Sequence, residues 1–169
     1  KLKQLFILIM LHSSRGGFGI SSKDLTRMIW GNDNPSKSTK SLRSVSILKL
    51  RKILERIDTV EVLFNANRYI LQLSEDVYCD YLACLDWLKD KRVRTQPDFE
   101  YFYDIISKGE VFKGESFDWM DDFKSYICNS TVDVLSSFID TYSIEDEADR
   151  VIQIDRKSTR LNSSHSSVS

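Results

Sequence analysis

The sequence predicts a mainly α-helical fold with one small β-hairpin. Three observations carry that expectation. Lys1–His12 is apolar nearly all round, a basic amphipathic stretch precedes two short strand-like runs, and apolar residues beyond Asp76 recur at helical spacing. Apolar residues make up 41% and charged residues 29%, which excludes a collagen, a fully disordered chain and a membrane bundle. The longest apolar run, Leu5–Leu11, is far short of the roughly 20 residues that cross a bilayer. The chain opens with Lys and shows no small-residue cleavage site, so we expect it to begin within a longer protein. Cys79, Cys84 and Cys128 are too few for a disulfide framework or a zinc site, and we expect buried apolar filler in the reducing cytoplasm.

Each element has its own local reason. Lys1–His12 suits a helix buried on most sides. Ser13 to Gly19 is a loop, because its three glycines allow positive φ. Ser21, with Asp24 three residues on, caps a short second helix carrying Leu25, Met28, Ile29 and Trp30, which stops at Gly31. After the turn Asn32–Pro35, Pro35 starts a third helix reaching about Ile57. Helical spacing places Leu42, Ile47, Leu50, Ile53, Leu54 and Ile57 in one apolar arc of about 140°. Lys37, Lys40, Ser41, Ser44, Leu48, Arg51 and Lys52 fall on the other side, with Lys49 at its edge. Val60–Phe64 and Arg68–Leu73 read as strands joined across Asn65-Ala66-Asn67, whose Asn residues tolerate positive φ. Helix, helix, basic helix and hairpin in that order make a winged helix-turn-helix over residues 1–73.

Ser74–Asp76 marks the module boundary. Beyond it helices are expected at Val77–Lys91, Pro97–Ser107 and Phe117–Thr141, with a start at Ile144–Ile154. The aromatic stripes Phe99, Tyr101, Phe102, Tyr103 and Phe117, Trp119, Phe123, Tyr126 read as core. Antiparallel, TPR-like helical hairpins over 77–154 are the natural architecture. The serine-rich tail 155–169 cannot bury a face. Asp155–His165 also resembles a translated sequencing-library adapter, so this tail is set aside as artefactual and disordered.

Charge separates the two halves. Residues 1–73 hold 13 Lys+Arg and 5 Asp+Glu, a balance of +8, whereas residues 74–154 hold 8 and 19, a balance of −11. A basic module that meets a polyanion and an acidic one that does not is the expected division. Residues 36–56 alone carry seven basic residues and one acid. An α-helix fits the major groove, and a wing reaches the adjacent groove or backbone, so double-stranded DNA is the expected partner.

The text resembles a known family. Ile20–Trp30 is similar to the second helix of OmpR/PhoB-type winged helices, Ser46–Leu54 to their recognition helix, and Asn67–Leu71 to their wing. Val77–Leu85 and Gly109–Phe123 resemble the helical bacterial transcriptional activation domain of SARP-type regulators. The resemblance implies a sequence-specific transcriptional activator, with contacts to RNA polymerase subunits. The small interface of a single module, about 600–1,000 Å², leads us to expect a dimer on tandem half-sites, direct or inverted, about one helical turn apart. By it, Lys49 and Arg51 are contact residues, and the wing adds Asn67 and Arg68. Helical geometry adds Lys37, Lys40, Ser41, Ser44 and Lys52. The family's N-terminal β-sheet has no counterpart here, and Leu48 stands where many relatives place a polar or basic residue.

Catalysis is not expected, nor is a metal, a cofactor or contact with a membrane. His12 ends an apolar helix, where packing or capping is its ordinary role. Asp121-Asp122 are adjacent on a helix and point to different sides; they and Glu145-Asp146-Glu147 read as solvated or dipole-complementing charges. Gly16-Gly17-Phe18-Gly19 follows a helix rather than a strand, so it is no phosphate loop. The alternative to a DNA-binding regulator is a protein-interaction adaptor built from the same two modules.

Overall fold

A helix as apolar as Leu5–Leu11 needs neighbours on several sides, and the computed structural model supplies them. It describes residues 1–14, 17–31, 33–90 and 95–141. The expected segment Ile144–Ile154 and the tail 155–169 lie outside the described residues. The elements are α1 (Leu2–Ser14), β1 (Ile20–Ser21), α2 (Ser22–Trp30), α3 (Lys37–Leu54), β2 (Val60–Asn65), β3 (Arg68–Leu73), α4 (Asp80–Asp90), α5 (Gln96–Ser107) and α6 (Asp121–Thr141). The protein is thus mainly helical, with one small antiparallel sheet in the order β1-β3-β2. It divides into two compact units, Lys1–Tyr78 and Cys79 onward.

In the first unit α1 packs on α2, α3 and β3. Leu5, Leu8, Ile9 and Leu11 lose all solvent contact, and each such burial is worth about 1.5–3 kcal/mol. Ser13 anchors the end of α1: its hydroxyl donates to the Ile9 carbonyl (2.7 Å) and accepts from the Leu71 N–H (2.8 Å). Ser21 caps α2 by accepting from the Asp24 N–H (3.0 Å), and Gly31 ends it at φ 66°. β2 and β3 pair from Val60↔Leu73 to Asn65↔Arg68. Their turn uses positive φ at Ala66 (45°) as well as Asn67 (61°), the backbone that tight right-twisted hairpins require.

Three expectations need correction here. The strand β1, paired with β3 through Ile20↔Tyr69 and Ser21↔Arg68, has no strand-like pattern of its own. The third helix begins at Lys37 rather than Pro35, because the Ser36 hydroxyl caps it by accepting from the Thr39 N–H (3.2 Å). Its buried strip is Ile47, Leu50 and Leu54, while Leu42, Ile53 and Ile57 are about half exposed. The helix is therefore rolled by roughly 40° from the expected arc. Two arginines account for that roll. Arg43 donates to the Ser22 carbonyl and the Thr26 hydroxyl (both 2.9 Å), and Arg51 donates to the Val62 carbonyl (2.9 Å). Their aliphatic stems follow the bonds inward.

In the second unit α4 packs against α5 and α6. Thr95 and Asp98 form a reciprocal capping box at the start of α5, with Pro97 in its first turn. The expected start at Phe117 is replaced by a short 3-10 turn, Asp118–Met120, ahead of α6. Of the aromatic stripes, Phe99, Phe102 and Phe123 are core, with Phe99 stacked on Phe138 at 4.1 Å. Tyr101 and Tyr126 face solvent instead, each lying on the outer side of its helix.

None of the cysteines of this unit forms a disulfide, and Cys84 and Cys128 are buried. Burial pushes the Cys84 thiol from its ordinary value of 9.0 up to about 11, and raises Cys128 as well. Above pH 9 the unfolded chain therefore loses a Cys84 proton that the folded chain keeps, so stability falls as pH rises towards 11. We expect Cys84 to contribute a loss on the order of 2–3 kcal/mol across that window. Urea unfolding at pH 8 and pH 11, compared with Cys84→Ala, checks it. An identical pH dependence in the variant would refute it.

Candidate nucleic-acid interface

The exposed side of α3 is built by the same forces that orient its core side. Ile47, Leu50, Leu54, Arg43 and Arg51 face the fold, so Lys37, Ser41, Ser44, Lys49 and Lys52 face water, with Lys40 exposed at the flank. No Asp or Glu occurs between Lys37 and Leu54. Among the described residues none of these four lysines forms an ion pair. The charge on this face is uncompensated. The Ser36 hydroxyl already serves the first turn, and the Ser44 hydroxyl donates to the Lys40 carbonyl (3.1 Å), leaving its lone pairs outward.

Arg51 is the expected contact residue that the structure places differently. It is half-buried, and its Nε–H is spent on β2, so it holds the hairpin against α3. Asn67 and Arg68 are exposed at the hairpin end. The Asn67 carbonyl accepts from the Ser22 N–H (3.0 Å), and an Arg68 Nη1–H donates to the Gly19 carbonyl (3.0 Å). Arg68 therefore keeps its charge at the surface while one arm braces the β1 crossing.

The periodic reading missed the apolar part of this face. Helical spacing alone places Leu42 and Ile53 in the core arc and Val45 on neither side. With Leu48, they leave four exposed aliphatic side chains among the lysines. The two arginines with only one acid near them, about two turns apart on a helix that needs anchoring, were the available sign that the inward strip lay elsewhere.

The second unit contains a cavity of about 590 Å³ whose walls include Tyr81, Cys84, Ile127 and Cys128. Its cations are engaged locally: Lys108 with Asp80 (3.1 Å), and Lys124 with the Glu115 carbonyl (2.9 Å) and Glu110 (3.7 Å). Among the described residues there is no cluster of three metal-ligating side chains, and no helix long and apolar enough to cross a membrane. Compared with known proteins, the chain matches no family model, no curated protein and no solved structure.

Proposed function

We propose that the first unit is a winged helix that binds double-stranded DNA sequence-specifically, with α3 in the major groove, and that the whole chain is a transcriptional activator. One observation carries the reading: among the described residues Lys37, Lys49 and Lys52 on the exposed face of α3, and Lys40 at its flank, form no ion pair, and the helix holds no acid. Such a face gains most from a polyanion. The order helix, strand, helix, helix, hairpin and the sheet order β1-β3-β2 support the winged-helix assignment. The acidic second unit repels nucleic acid and is read as TPR-like, meeting protein, with RNA polymerase subunits as the partners that the OmpR/PhoB and SARP-type resemblance implies. One module buries only about 600–1,000 Å², so two copies on half-sites about one turn apart supply the specificity.

Lys37 and Lys40 lie in the first turns and position phosphates, whereas Lys49 and Lys52 lie further along the face. With Arg68, these lysines neutralise about five phosphates, so log K falls by roughly 4–5 per decade of salt. Lys37→Ala weakens all sequences alike and lowers that slope by about 1. Lys49→Ala costs on the order of 1–3 kcal/mol on the preferred site and less on random duplex. Equal losses on both would make Lys49 a backbone anchor. The exposed Leu42, Val45, Leu48 and Ile53 favour a second reading, an adaptor that binds protein through this face. Salt-insensitive binding, or no duplex binding near about 50 mM salt, would establish the adaptor instead.

A further inference from the structure

Apart from its lysines, the outward face of α3 lacks the side chains that read base edges through paired hydrogen bonds. Arg or Lys to guanine, Asn or Gln to adenine and Asp or Glu to cytosine are the most directional contacts available to a helix in the major groove. Both arginines of α3, Arg43 and Arg51, are turned into the fold by bonds to Ser22, Thr26 and Val62. No Asn, Gln, Asp or Glu occurs in α3. Its remaining cations are lysines, point charges that suit phosphates, with Lys49 the one read above as reaching a base edge. Apart from the single contact assigned to Lys49, sequence must then be read by other chemistry.

The middle of the face supplies it. Taking 3.6 residues per turn, Val45 lies within about 20° of the line opposite the buried strip, and Leu48 about 50° from it. Leu42 and Ile53 are on the flank, roughly 70–90° away. Val45 is 46% exposed and Leu48 55% exposed, so both present methyl groups to whatever approaches α3. They are one turn apart on one side, bracketed by Ser41, Lys49 and Lys52. Val is stiff at χ1, so ordering its methyl groups costs little entropy.

We propose that Val45 and Leu48 read thymine, by packing their methyl groups against the thymine C5-methyl in the major groove. The proposal rests on the DNA-binding reading above. Charge decides between DNA and an apolar protein surface as the occupant. A protein partner able to cover Val45 and Leu48 would have to desolvate or neutralise Lys49 and Lys52 at the same time. A duplex supplies phosphates for the lysines at the groove walls and, on its floor, one apolar group for the aliphatic side chains. That group is the thymine methyl. The preferred site is therefore rich in thymine where the centre of α3 sits, and discrimination there depends on a methyl rather than on a donor–acceptor pattern.

The test uses the whole chain. Its preferred duplex is selected from random sequence, and each thymine is then replaced singly by deoxyuridine, which removes only the methyl. We expect affinity to fall about fourfold or more at one or two adjacent positions. In a double variant, Val45→Ser with Leu48→Ser, thymine and uracil should bind equally at those positions. Val45→Thr, which keeps shape and one methyl, should give an intermediate ratio and decides the point should the double variant not fold. A site without thymine, an unchanged affinity on every replacement, or a uracil effect that persists in the variants overturns the proposal while leaving DNA binding intact. Absence of any sequence preference overturns it together with the sequence-specific part of the DNA-binding reading. Absence of duplex binding overturns this proposal and the DNA-binding reading together.

Discussion

Gly19→Ala should destabilise the first unit by at least about 3 kcal/mol, enough to unfold a marginal domain. Gly19 has φ +65°, where an L side chain costs roughly 1–2 kcal/mol by itself. Space adds the larger part. A Cβ at Gly19 would collide with the Tyr69 carbonyl oxygen and the Ile70 side chain. A carbonyl in a paired strand cannot rotate away, so β3 would have to shift and lose its register with β1. Gly31 is the matched control. Its φ is nearly the same, +66°, but nothing lies within 4 Å of a Cβ there, so Gly31→Ala should cost only about 1–2 kcal/mol. Urea unfolding of both variants measures the difference. Equal losses would mean that β3 absorbs the added atom and that the crossing is looser than the geometry implies.

Phe102→Ala should cost the second unit about 3–5 kcal/mol. Phe102 has no solvent exposure and is the largest fully buried side chain among the described residues. Its removal leaves a cavity that α4, α5 and α6 cannot close without losing their own packing. Its neighbour Tyr101 is half exposed on the outer side of α5, with its ring 5.6 Å from Trp87. Tyr101→Ala should therefore cost about 1 kcal/mol or less. Denaturant unfolding followed through Trp87 and Trp119 separates the two. A Tyr101 loss as large as the Phe102 loss would place the core of this unit on the wrong side of α5.

The arginines of α3 show why a basic stretch is not yet a binding face. Arg43 and Arg51 count towards the basic charge of residues 36–56, yet their guanidiniums are directed at Ser22, Thr26 and Val62. Counting charge along the chain gives the sign of the surface. It does not say which cations have partners at home.

Local chemistry determined much of this protein without help from the fold. The seven-residue apolar run in α1, the Ser21 cap, the Gly31 stop and the two alternating runs of the hairpin are each decided by near neighbours in sequence, and each is legible there. The exposure of Lys37, Lys40, Lys49 and Lys52 is legible for the same reason, since a lysine with no acid beside it stays in water. Tertiary structure alone decided the rest. β1 is two residues long and exists only because β3, nearly fifty residues away in sequence, offers it hydrogen bonds. The roll of α3 was set by long-range bonds from Arg43 and Arg51, which turned Leu42 and Ile53 outward. A helical period fixes which residues share a side; only the partner that a side meets decides which side is buried.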